Sequence, residues 1–124
     1  MDSDKYDRKK ASALARQVGT DFGASMTVAL AYVGDRLGLF KALASGLALT
    51  TTEIATQTGL KERYVREWAA TMAAAGYLDY SPDEARFRMN PEQATVLANE
   101  DTTFFTGGAF QYAVACYRQL EKLM

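Results

Sequence analysis

The stretch TTTEIATQTGLKERYVREWAATMAAAGYLDYSPDEARFRMN, residues 50–90, decides the fold. It opens on Thr50-Thr51-Thr52-Glu53, a capping box in which the Thr50 hydroxyl accepts from the Glu53 amide and the Glu53 carboxylate reaches back to the Thr50 amide. The box predicts a helix from Thr51 to about Thr58 with Ile54 and Ala55 turned inward. Gly59 then supplies the positive φ that lets the chain swing into a second helix, Lys61 to Ala75. On that second helix Tyr64, Val65, Trp68 and Met72, with Ala69 beside them, form the expected buried stripe. Lys61, Glu62, Arg63, Arg66 and Glu67 face outward. Gly76 stops the helix, Tyr77 to Tyr80 alternates as a strand should, Ser81 to Ala85 makes a turn, and Arg86 to Met89 returns.

Helix, glycine turn, helix and hairpin follow one another in the order of a winged helix-turn-helix. The fold class expected is therefore mostly α, with a small β-hairpin wing and flanking N- and C-terminal helices. In such a fold the second helix is the element that meets DNA, and Arg63 and Arg66 would be its contacts to phosphate or guanine edges. The charge balance argues against that use. Residues 50–90 carry five basic and six acidic side chains, Glu62 and Glu67 share the arginines' outward face, and Asp83 and Glu84 sit at the wing tip. A DNA reader needs a basic surface on both helix and wing. A small dimeric transcriptional regulator is thus the alternative reading rather than the first.

Outward from this centre, Lys5 to Ala44 reads as helix with weak points at Gly19 and Gly23. Ala24, Val28, Ala31 and Asp35 share one face; Met26, Leu30, Val33 and Leu37 share a broader apolar one. A helix apolar on two sides needs two partners. One is the domain's own core; the other is either more of that core, which makes this a central core helix, or a second subunit, in which case Met26, Leu30 and Val33 are the candidate dimer interface and the chain is a homodimer. On the far side Pro91 begins a short helix to Ala98. An acidic link, Asn99-Glu100-Asp101, leads to a last aromatic-rich helix beginning at Thr103 or Ala109 and ending at Leu123. The organisation is N-terminal helices over 1–44, a helix-turn-helix and wing over 45–90 and C-terminal helices over 91–124, all one structural domain.

Composition removes whole classes of chemistry. A chain of 124 residues with 48% apolar residues fills one core and no second domain. Fourteen Lys and Arg against 15 Asp and Glu leave a net charge of −1, too little to draw in nucleic acid or an anionic membrane. There is no histidine, and Cys116 is the only cysteine. A His/Cys zinc site, a Ser-His-Asp triad, a Cys-His pair and an intramolecular disulfide are thereby excluded within one chain. No apolar run approaches the ~20 residues of a membrane span, and the N-terminus MDSDKYDRKK leads into no apolar signal core, so a cytoplasmic location is expected.

Two further features invite a functional reading. Phe104, Phe105, Phe110 and Tyr112, with Tyr117 further on, surround Gly107-Gly108; aromatics about a permissive backbone can wall a pocket for a flat apolar ligand, or simply plug the core where the last helix docks. The glycines at 34, 38, 107 and 108 make neither a G-x-G-x-x-G loop after a strand nor a Walker sequence, so no dinucleotide or phosphate cradle is expected.

Several stretches together resemble the N-terminal domain of bacterial S-adenosylmethionine-dependent methyltransferases of the O-methyltransferase layout. They are Gly34-Asp35-Arg36-Leu37-Gly38-Leu39-Phe40, the run Thr58 to Trp68, Ala74 to Tyr80, and Pro91-Glu92-Gln93-Ala94 through Gly107-Gly108-Ala109-Phe110. The resemblance implies a domain that looks like a DNA-binding winged helix but serves to dimerise and to cover or help line a substrate pocket. Phe104, Phe105, Phe110 and Tyr112 would then line that pocket opposite a catalytic methyltransferase domain. That domain, which binds S-adenosylmethionine in the family, would start after about Met124. The implied role for these residues is an accessory module with no catalytic residue or cofactor site of its own; from composition no metal and no membrane partner is expected, and DNA is the partner only of the alternative regulator.

Overall fold

The computed structural model describes residues 5–124; residues 1–4, which the sequence assigns to the start of the N-terminal helices, lie outside the described residues. Helix α1 (Arg8–Arg36) begins three residues later than Lys5 because Asp7 caps it, its carboxylate accepting from the amides of Lys9 (2.9 Å) and Lys10 (3.2 Å). The helix runs unbroken through Gly19 and Gly23, contrary to expectation. A mid-helix glycine costs only about 1 kcal/mol, and a helix of 29 residues absorbs two. The interruption comes instead at Gly38, whose φ of +76° ends the run and starts α2 (Leu39–Leu43) in a new direction.

Helix α3 (Thr51–Thr58) carries the full capping box, and Gly59 at φ +73° turns the chain toward α4 (Glu62–Ala74). Val65, Trp68, Ala69 and Met72 are the buried face of α4, at i, i+3, i+4 and i+7. Tyr64 does not belong to it and is 59% exposed. Strict i+4 steps drift about 40° each around a helix, so a stripe started from Trp68 and Met72 leaves the buried arc by Tyr64. The wing pairs β1 (Asp79–Ser81) antiparallel with β2 (Arg86–Arg88) in the register Asp79 to Arg88, Tyr80 to Phe87 and Ser81 to Arg86. Leu49 adds a bridge on the other side of Phe87, with backbone hydrogen bonds of 2.8 Å both ways. Arg86 locks wing to helix, its guanidinium donating to the Ala48 carbonyl (3.0 Å) and to Glu53 Oε1 (2.7 Å).

Helix α5 (Pro91–Leu97) has its own capping box from Asn90 and Gln93, and α6 (Gly107–Leu123) starts between the two expected positions. One continuous apolar core joins all of these elements, from Ala31 on α1 through Phe40, Leu43, Ile54, Trp68, Met72, Leu78, Phe87 and Met89 to Leu97 and Phe110. The architecture is a winged helix-turn-helix flanked by helices, as the sequence predicts.

Candidate functional site

Trp68 organises the surface where α1 meets α4. Its indole Nε1 donates to the carbonyl of Leu30 at 3.0 Å, and its ring lies edge-on to Phe40 with centroids 5.1 Å apart. Gly34 makes room for it: a Cβ there would stand 2.5 Å from Trp68 Cζ2 and 2.9 Å from Phe40 Cε2. Close approach of α1 to α4 therefore depends on a residue without a side chain.

Above the indole lies a groove of about 680 Å³, walled by Leu30 and Val33 of α1, by Leu37 at its C-terminal cap, by Leu60 of the helix-turn-helix turn and by Tyr64 of α4, with Lys61, Glu67 and Thr71 at its polar margin. Its size is that of a small-molecule or helix-docking site. Of the three α1 residues singled out from sequence, Leu30 is half-buried and lines this groove, Val33 lines it and is exposed, and Met26 lies exposed one turn before it.

Residues 8–24 of α1 are exposed throughout, so more than half of the helix extends from the domain as an arm. Leu14, Val18 and Phe22 point into solvent at i, i+4, i+8 and lead directly into Met26. The sequence reading began the apolar face at Met26 and missed these three. Their regular four-residue spacing was the available signal.

The aromatic cluster near the C-terminus does not converge. Phe110 is buried and shares a cavity of about 420 Å³ with Tyr77, Val96 and Leu97, whereas Phe104 lines a separate, smaller one of about 270 Å³ with Pro91 and Val96. Phe105 is half-buried against Gly107, where a Cβ would collide with its ring and approach Asp35 Oδ1 to 2.9 Å. Tyr112 is 73% exposed on α6 and lines neither cavity.

The electrostatics of the helix-turn-helix are those of a neutralised surface. Arg63 lies 4.0 Å from Glu67 and Arg66 lies 3.8 Å from Glu62, both one helical turn apart. Arg86 is paired with Glu53, and Arg88 stands 3.8 Å from Asp79. Such exposed pairs add little stability, but each places a carboxylate beside the cation that would meet a phosphate. Glu53 is held below the ordinary glutamate range, chiefly by the Thr50 amide and then the Thr50 hydroxyl, with Arg86 adding to both.

A Rossmann-type S-adenosylmethionine site does not fit these residues. The sheet among the described residues is an antiparallel pair, no strand is followed by a glycine loop and a helix, and Gly107 is filled by Phe105 rather than open as a cradle. No group of His, Cys, Asp and Glu among the described residues could hold a metal ion, and no helix there is long and apolar enough to cross a membrane.

The helix-turn-helix, the hairpin bridged by Leu49 and the flanking helices define a winged-helix domain in which the outward face of α4 is charge-balanced. The chain belongs to the family of the Rv2258c-like winged HTH domain, whose model matches residues 24–99. Among solved structures it is similar to the mitomycin 7-O-methyltransferase MmcR, with a TM-score of 0.76 and 24% identity over 94% of this chain and 34% of that one. It is also similar to PigF, in a structure with SAH, with a TM-score of 0.65 and 17% identity over 91% of this chain and 32% of that one. An O-methyltransferase family protein from Burkholderia thailandensis matches with a TM-score of 0.64 and 16% identity, over 90% of this chain and 31% of that one. At these identities the likeness is one of fold. The chain spans about a third of the length of these proteins and matches the N-terminal region of O-methyltransferases. No curated protein matches it.

Proposed function

We propose that this domain is the dimerisation and substrate-covering module of a cytoplasmic S-adenosylmethionine-dependent methyltransferase and performs no catalysis itself. The observation that carries the reading is the arm of α1: Leu14, Val18, Phe22 and Met26 form an apolar band that winds about 120° around the helix and that the rest of the described chain leaves exposed. An uncovered band of this length marks an interface, and a self-complementary pairing of two copies is the commonest way to bury it. Met26, Leu30 and Val33 form the middle of that interface.

The covering role falls to the C-terminal side. Phe104 and Tyr112 are exposed and free to face a catalytic domain, while Phe105 and Phe110 fix the backbone that carries them. The chemistry of methyl transfer belongs to a βαβ-built domain of the parent enzyme, which supplies the cofactor site these residues do not form.

Light scattering on the purified chain, together with calorimetric titration by S-adenosylmethionine, tests both halves of the reading. The expected results are a mass twice that of one chain and no saturable heat. A monomer overturns the dimerisation role, and micromolar binding of the cofactor overturns the accessory one.

A further inference from the structure

Between the outward face of α4 and the wing lies a cleft of about 400 Å³ that shares no lining residue with the groove over Trp68 or with the cavities of the aromatic cluster. Arg66, Ala70 and Ala73 form its α4 side; at i, i+4 and i+7 they fall on one side of the helix. A helix that reads DNA carries side chains here that reach base edges. Alanines at 70 and 73 reach no such distance and leave the cleft open. The facing side is the wing, where the rings of Tyr80 and Phe87 lie 4.6 Å apart between centroids, Phe87 buried and Tyr80 exposed. Thr51 of α3 and Ala85 of the wing turn complete the lining. Ala85 sits at φ +52°, a conformation L side chains rarely adopt, and strain of this kind collects around ligand sites.

Charge decides what fits there. Arg66 is the one charged side chain in the lining. Its guanidinium is only loosely held: Glu62 Oε1 stands 3.8 Å away, longer than a hydrogen bond, while the other oxygen of that carboxylate accepts from the Thr51 hydroxyl at 2.9 Å. Arg86 of the wing is by contrast spent, at 2.7 Å from Glu53. The Arg66 fork therefore retains donors for a second, bidentate carboxylate. A dianionic phosphate would meet more repulsion from Glu62 than a monoanion does. The remaining walls are apolar and include an exposed ring, which suits a flat aromatic body, and the volume is at the low end of the roughly 300–1,000 Å³ of small-molecule sites, which limits that body to one or two rings. We infer that the cleft between α4 and the wing binds a small aromatic monocarboxylate, its ring against Tyr80 and over Ala70 and Ala73 and its carboxylate on Arg66. The site is independent of the dimerisation and covering roles proposed above.

Amide chemical-shift titration of the isotope-labelled full chain with 2-naphthoate tests the assignment. The expected result is a saturable shift confined to the surroundings of Arg66, Ala70, Tyr80 and Ala85, with a Kd on the order of 1 mM or tighter. The uncharged 2-naphthamide, and 2-naphthoate on Arg66→Gln, should each bind roughly tenfold more weakly or worse, because the charge-assisted pair is lost. Ala70→Leu should abolish the shifts by filling the cleft. Arg66 and Ala70 are exposed, so both substitutions leave the core intact, and the naphthamide comparison needs no variant. No saturable shift, shifts centred instead on Leu60 and Tyr64 in the groove over Trp68, or 2-naphthamide binding as tightly as 2-naphthoate would each overturn the assignment.

Discussion

The indole of Trp68, on the helix that a DNA-binding winged helix would press into the major groove, donates its one hydrogen bond at 3.0 Å to the carbonyl of Leu30 on α1. The inner face of α4 is thus spent on holding the long N-terminal helix, and the direction in which the arm leaves the domain is set by this joint.

Truncating the joint should be expensive. Trp68 is 3% exposed, and Trp68→Ala is expected to cost about 3 to 5 kcal/mol, as large aromatic truncations in cores do. Against a domain stability of ~5 to 15 kcal/mol, a denaturation midpoint close to wild type would contradict this placement of the ring.

Two glycines of α1 should respond in opposite directions. Gly34→Ala puts a methyl against the rings of Trp68 and Phe40, which are wedged edge to face, and is expected to destabilise by about 1 to 3 kcal/mol. At Gly23 nothing lies within 4 Å of the added methyl, so Gly23→Ala should stabilise the helix by up to about 1 kcal/mol. Urea melts of the pair compare the two directly, and equal effects would place Gly34 away from the indole.

How much of this was legible in sequence depends on whether a signal was local. Helix α3 falls on the expected residues because a capping box and a left-handed glycine are both written within the segment they delimit. The sequence places the interruption of α1 at Gly19 and Gly23 because composition marks every glycine alike, whereas of Gly19, Gly23 and Gly38 only Gly38 has a positive φ. Tyr64 was assigned inward because an aromatic four residues from Trp68 fits a helical stripe as well as Val65 does. The drift of about 40° at each i+4 step favours Val65, three residues from Trp68, for the buried face. The aromatic residues 104, 105, 110 and 112 are close in sequence, yet the bend into α6 sends them to different surfaces, a separation that no spacing rule foretells.

Acid should expose the contribution of Glu53. Its carboxyl is held below the ordinary glutamate value by the Thr50 hydrogen bonds and by Arg86. The stabilisation is therefore complete above about pH 4.3, the unfolded-state value, and is lost as pH falls through the lower folded-state value. Glu53→Gln should be less stable than wild type at pH 7, with the difference shrinking below pH ~4. Parallel stability curves for the two proteins down to acid pH would contradict this.

Binding to DNA is expected to be weak. With Arg63 and Arg66 each beside a glutamate, few phosphates can be neutralised, and a mobility-shift assay at ~0.15 M salt should show no complex with a random duplex tighter than the nonspecific range of ~10⁻⁴ to 10⁻⁶ M. A nanomolar complex abolished by Arg66→Ala would favour the regulator instead.

The arm as a self-pairing surface is the centre of the account, and sedimentation velocity of wild type beside Phe22→Asp tests it most directly. Phe22 is 65% exposed in the protomer, so the substitution should leave the circular dichroism and the fold unchanged, while in the dimer it strands an unpaired carboxylate in an apolar seam. The expected result, at concentrations on the order of tens of micromolar, is a dimeric wild type and a folded, monomeric Phe22→Asp. A monomeric wild type, or a variant that remains as dimeric as its parent, would contradict it.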